Sequence, residues 1–189
     1  MATMGELVVV LGLVVTATAT ALPELQAGLD DARVAGAARY LSSRLVEARL
    51  EAISRAREVA IRFSMANGTY SYTVYVDGNH NGVLSRDIQR GIDRRTLGPE
   101  QLSDNFRNVD FGTQPGLPAI DSGSEPPGSD PIRLGISNSV SFSSLGTATS
   151  GTIYLTGRSR AQYAIRVFGG TGKIRVYRFN RQSGKWMPS

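Results

Sequence analysis

"GELVVVLGLVVTATATALPEL", residues 5–25, decides how this chain folds. One carboxylate, Glu6, stands at its head and one proline, Pro23, at its foot, with no charge from Leu7 to Leu22. As a helix, residues 1–22 reach about 33 Å at about 1.5 Å per residue, enough to cross a bilayer. An unpaired acid at the entrance of such a span is costly, so Glu6 needs a reason to be there. The small residues of "ATATA" would suit a secretory signal peptide. That reading needs a basic head, yet no Lys or Arg precedes Arg33.

The pattern runs on past the proline. Val34, Ala38, Leu41, Leu45, Ala48, Ala52 and Ala56 recur at steps of three and four, one face of a helix, and Arg33, Arg39, Arg44, Arg49 and Arg55 lie off it. The spacing predicts one long helix from near residue 3 to near residue 57, bent at Pro23, whose ring removes a backbone hydrogen bond. Its first part, 1–22, is apolar all round and suits a membrane or a filament core. Its second part, 23–57, is amphipathic and suits a sheet.

Beyond the helix the apolar period becomes two. "VAIRFSMANGTYSYTVYV" holds two alternating runs around Asn67-Gly68, a strong hairpin signal. Further strands are expected at 107–112, 139–144, 151–156, 162–168 and 173–179, the last two joined by a turn at Gly169-Gly170-Thr171-Gly172. Residues 113–131 hold five of the eight prolines and are expected to form an exposed irregular loop. A helix lying across antiparallel strands gives an α+β fold, with residues 58–189 as a β-rich globular head.

Several chemistries are excluded by composition. There is no cysteine, hence no disulfide and no thiolate site, and the only histidine, His80, sits in a polar turn with no G-x-S-x-G in the chain. This argues against an enzyme, and no cofactor is expected. Charge is unevenly spread. Residues 1–130 carry all 16 acids and 12 of the 21 bases, a net −4, whereas residues 131–189 carry nine bases and no acid. A basic surface of this kind is available to nucleic acid, anionic lipid or an acidic partner.

Two stretches are candidate sites. In "DGNHNGVLSRDI", Asp77, Asn79, Asn81 and Gly82 occupy the first, third, fifth and sixth places of a calcium loop. The twelfth place holds Ile88, with Asp87 one residue early, and a plain Asx/Gly turn explains the stretch as well. In "GKIRVYRFNRQSGKW", Lys173, Arg175 and Tyr177 share one strand face, and Arg178, Arg181, Lys185 and Trp186 follow. Bases interleaved with aromatics suit phosphate contact and base stacking; a solvated or subunit-facing strand is the alternative.

The residues also resemble a known family, the type IV pilin-like proteins, and within them the GspH/FimT group of minor pseudopilins and minor type IV pilins. "ATMGELVVV" is similar to the family's N-terminus, with Thr3 and Glu6 on its threonine and glutamate. Pro23 stands seventeen residues after Glu6, where the family has its helix-bending proline. "RLVEARLEAISRAREVAIRF" resembles the group's passage from helix to first strand.

The resemblance implies a pilin-like fold in which a long bent N-terminal α-helix packs on an antiparallel β-sheet head. It implies a subunit held first in the bacterial inner membrane by a single pass, head in the periplasm. That subunit then assembles with other pilin or pseudopilin subunits into a type II secretion pseudopilus or a type IV pilus tip. Glu6 would pair with the N-terminal amine of a neighbour, a buried charge favourable only on assembly. Processing, with methylation of the new N-terminus, would leave Ala2 first, Met1 being an addition. Secreted cargo or DNA are the further partners implied. Group members serving DNA uptake use a Gly-Arg-x-Arg-like motif, which Gly172-Lys173-Ile174-Arg175 matches with one lysine and Gly157-Arg158-Ser159-Arg160 matches literally. A DNA-capturing pilin and a calcium-dependent adhesive head are thus the alternative functions.

Overall fold

The computed structural model of the chain describes residues 3–121 and 125–189, and within α1 it leaves out the side chains of Leu7, Val10 and residues 14–23. In chain order its elements are α1 (Met4–Arg55), β1 (Val59–Ala66), β2 (Thr69–Val76), α2 (Ser85–Gln89), β3 (Arg94–Glu100), α3 (Leu102–Asn105), β4 (Val109–Phe111), β5 (Ile132–Arg133), β6 (Ser139–Phe142), β7 (Gly151–Gly157), β8 (Gln162–Phe168), β9 (Lys173–Asn180) and β10 (Lys185–Pro188).

Helix α1 ends earlier than the apolar stripe suggests. Ala56 takes a left-handed conformation, φ 49° and ψ 39°, and turns the chain out toward β1. Ala56 is therefore exposed, while Val34, Ala38, Leu41, Leu45, Ala48 and Ala52 are buried, joined by Ala35 and Ala37. The expected bend at Pro23 falls among the residues of α1 whose side chains are left out, and the expected new N-terminus at Ala2 lies outside the described residues. Among the described residues, no helix is long and apolar enough to cross a membrane. Much of the span expected at 7–22 falls among the side chains left out.

The head is two antiparallel sheets rather than one. The first has the order β3-β2-β1-β6; the second runs β10-β9-β8-β7-β4, with β5 also pairing β7. The hairpin between β1 and β2 turns at Asn67 and Gly68, both with positive φ, as an Asn-Gly two-residue turn requires. One core joins α1 to both sheets through Leu41, Leu45, Ile61, Phe142, Ile153 and Ile165, none of them exposed.

Polar contacts fix how the helix seats. Asp30 lies one turn before Val34 on the buried stripe and is itself only 3% exposed. Its two oxygens accept the backbone N–H groups of Arg158 and Ser159 at 3.1 and 2.6 Å, closing the turn after β7. Gly157 gives the helix room there: a Cβ would sit 2.5 Å from Asp30 Oδ2 and 2.6 Å from Val34 Cγ2. At the other end of α1, Arg49 donates from Nε to the Gly146 carbonyl at 3.0 Å and from Nη2 to the Thr171 carbonyl at 2.9 Å. Between them, the Tyr40 and Tyr72 hydroxyls both donate to Glu100 Oε2, at 3.1 and 2.5 Å. Burial and the Glu100 bond push the Tyr72 hydroxyl well above the ordinary tyrosine value.

The described part of the proline-rich segment is irregular and much of it is exposed, as expected, but it is also strapped onto the second sheet. Leu117 is buried, and the Trp186 indole donates to the Pro118 carbonyl at 2.9 Å. Arg166 Nε lies 2.7 Å from Asp121 Oδ2, and Arg133 pairs with Glu125. Prolines stop this segment from joining a sheet ladder but leave its carbonyls and side chains free to be held from outside.

Candidate functional site

At the mouth of α1, Glu6 has a partner in its own chain. The Thr3 N–H donates to Glu6 Oε2 at 2.8 Å, and the Glu6 N–H donates to Thr3 Oγ1 at 3.4 Å, a reciprocal capping box. The T-x-x-E signature at 3–6 announces this cap in the sequence. A carboxylate there also faces the positive end of the helix dipole. Both residues are exposed.

The basic tail does not form one surface. In β9, Lys173 and Arg175 point outward together with Tyr177, away from α1, since Ile174 and Val176 pack onto the core. Arg178 lies on the opposite face, where its Nε pairs with Asp31 Oδ1 of α1 at 3.1 Å. The Tyr163 hydroxyl is 3.4 Å from both Asp31 oxygens. Arg181 donates to the Arg160 carbonyl at 2.9 Å and to the Gln114 amide oxygen. Arg160, Arg178 and Arg181 thus line one cleft of about 410 Å³ with Asp31 at its side.

Each end of the second sheet carries one of the Gly-x-x-Arg stretches. Gly157-Arg158-Ser159-Arg160 is the β7–β8 turn clamped by Asp30, and Gly172-Lys173-Ile174-Arg175 opens β9 beyond the β8–β9 turn. The seven residues of β8 separate them, about 23 Å at about 3.3 Å per residue. Trp186 is not free to stack on a base. Its ring centroid lies 5.8 Å from that of Tyr154 and 5.2 Å from that of Phe179, with its N–H on the strap. Lys185 is exposed on the edge strand β10.

The 77–88 stretch closes upon itself. Asp77 Oδ1 accepts from the Asn79 and His80 amides at 3.0 and 2.9 Å, and Oδ2 from the Gly82 amide at 2.9 Å. Asp87 Oδ2 accepts the Asn81 side-chain amide at 3.0 Å. Two carboxylates that sequence reading left out complete the turn: Asp93 takes the Gly78 and Leu84 amides, and Glu58 takes that of Val83. Among the described residues no three acidic or histidine side chains gather at metal-ligand spacing. Both Asp77 oxygens and Asp87 Oδ2 thus accept N–H groups of the same turn.

Burial alone would push the Asp77 carboxyl up, but the amides of Gly82, Asn79, His80 and Asn81 hold it below the ordinary value. A value lower in the folded chain than in the unfolded one means that the fold favours the ionised form. Its contribution is present at neutral pH and lost as pH falls below about 3.9 toward the folded value. Asp77→Asn should lower the urea midpoint at neutral pH, and lose less stability than the parent on going to about pH 3. An acid dependence identical to the parent's would show that this turn does not carry the effect.

A long N-terminal helix capped by its own acid, seated on two antiparallel sheets, defines an α+β protein with a pilin-like plan. Over residues 37–171 the sequence matches the family described as Type II transport protein GspH, and the chain belongs to that family. No curated protein matches it. Two solved structures are similar, both of the minor pseudopilin EpsH from the type 2 secretion system of Vibrio cholerae. Each is 14% identical at a TM-score of 0.46; one covers 76% of this chain and 95% of that chain, the other 77% and 94%.

Proposed function

We propose that this chain is a minor pseudopilin of type II secretion, held in the inner membrane by residues 7–22 and entering a periplasm-spanning pseudopilus through α1. Membership of the GspH family, over 135 residues from 37 to 171, is the observation that carries this reading. A type IV pilus tip would use the same helix. In the assembled state Glu6 would exchange part of its cap for the N-terminal amine of a neighbouring subunit. Its exposed position and the single oxygen used by Thr3 favour that role. Pro23 would bend the helix where it leaves the membrane. Capture of DNA by the tail is the lesser reading, because Arg178 is turned away from Lys173 and Arg175 to pair with Asp31, and the Trp186 ring is packed against Tyr154 and Phe179.

Replacing Glu6 tests the proposal. In a bacterium whose own copy is replaced by this chain, Glu6→Leu should leave the subunit membrane-bound but abolish its co-purification with neighbouring pseudopilins. Glu6→Asp should retain part of it. Undiminished co-purification with leucine at position 6 would remove the register role, and loss of membrane retention would point to a folding defect instead.

A further inference from the structure

A second basic surface stands at the end of the head farthest from the helix N-terminus, within the part of the chain whose formal charge is negative. Arg55, at the end of α1, Arg57, just past it, and Arg94, at the start of β3, line a cleft of about 750 Å³ floored by Val76 and Ile92. Arg90 is exposed one residue before Gly91, another lining residue. Sequence counting misses this pole because its acids point inward. Asp77, Asp87 and Asp93 are at most 3% exposed, and with Glu58 they accept the turn's amides.

The arginines keep their charge for something outside. Arg57 is fixed by donating from Nη1 to the carbonyls of Asp77 and Gly78, both at 3.2 Å, which orients its guanidinium without neutralising it. Arg55 has only the exposed pair with Glu51 at 3.1 Å, a contact worth about 0.5 kcal/mol and readily exchanged. The Arg90 and Arg94 side chains have no hydrogen-bond or ion-pair partner among the described residues. Asp77 lines the cleft too, but its carboxylate is occupied by three amides.

We propose that this cleft is a docking site for an acidic segment of a partner protein. Guanidinium groups supply paired donors for carboxylates, and the apolar floor suits the aliphatic stems between them. A nucleic-acid duplex would need a stripe of phosphate contacts rather than a single floored cleft. The inference goes beyond assembly through α1 and is read on the single subunit, so it stands or falls apart from the Glu6 result.

The test is a titration of the full chain, in nonionic detergent, with a fluorescent glutamate-rich peptide at two salt concentrations. Binding should weaken steeply with salt, and Arg94→Glu, at an exposed position, should weaken it about tenfold or more. Arg94→Lys, which keeps the charge but loses the fork, should recover only part of it, and Arg178→Glu, at the other basic cleft, should leave it unchanged. Absence of binding at low salt overturns the proposal. So does binding indifferent to Arg94→Glu, or a duplex DNA of equal charge that outcompetes the peptide and shows the same Arg94 dependence.

Discussion

Gly157→Val should destabilise the folded chain by about 3 kcal/mol or more, because the added side chain enters a close contact between α1 and the end of β7. A first carbon alone would lie 2.5 and 2.7 Å from the two Asp30 oxygens and 2.6 Å from Val34 Cγ2. The carboxylate cannot yield without releasing the Arg158 and Ser159 amides, and Val34 is fully buried. The helix must therefore lift from the end of β7, which uncovers apolar surface and strands two N–H donors together. Gly157→Ala should show the same direction at about 1–3 kcal/mol. Urea unfolding of the full chain in detergent, followed by the fluorescence of its single tryptophan, measures both. A valine variant within about 0.5 kcal/mol of the parent, the range of ordinary surface changes, would mean that this junction is loose.

How far the sequence foretells this junction depends on which forces build it. The stripe from Val34 to Ala52 was legible because hydrophobic burial leaves a period of 3.6 in any helix that lies on a sheet. The β1–β2 hairpin was legible because Asn67-Gly68 permits few other conformations. Asp30 could not be recognised the same way. It continues the stripe at the right spacing, but a carboxylate reads as solvent-facing until the two amides that it caps are known to be within reach. Strand β3 failed for a related reason. "RRTLGPE" lacks an apolar alternation, since it is an edge strand with its arginines and Thr96 exposed, and it pairs with β2 through two register shifts. The tail shows the sharpest limit. Alternation correctly grouped Lys173, Arg175 and Tyr177, but only the tertiary contacts reveal that Arg178 belongs to Asp31 and that Trp186 belongs to the strap. Charge counts mislead similarly at residues 77–95, where three inward acids offset all but one of four arginines in the sum but not on the surface.

Arg49→Met should cost about 3 kcal/mol, the second large effect, although Arg49 lies off the buried stripe that organises its helix. Its guanidinium reaches both the Gly146 turn and the Thr171 turn. Bonds from a charged donor contribute about 1.5–3 kcal/mol each, and some of that returns as water reaches the carbonyl of the exposed Thr171. The fit is close enough to dictate a neighbour: Gly172, at φ +60°, has no room for a Cβ, which would lie 2.1 Å from the Gly146 carbonyl oxygen and 2.7 Å from Arg49 Nε. Methionine keeps the stem's packing, so the loss reports the two hydrogen bonds rather than a cavity. Arg49→Lys separates charge from geometry. One ammonium cannot span both carbonyls in the arrangement that the planar fork provides, so lysine should recover no more than about half of the loss. Equal stability of the lysine and arginine forms would show that a positive charge near these turns suffices, and that the two-turn bridge is not what seats the distal end of the helix.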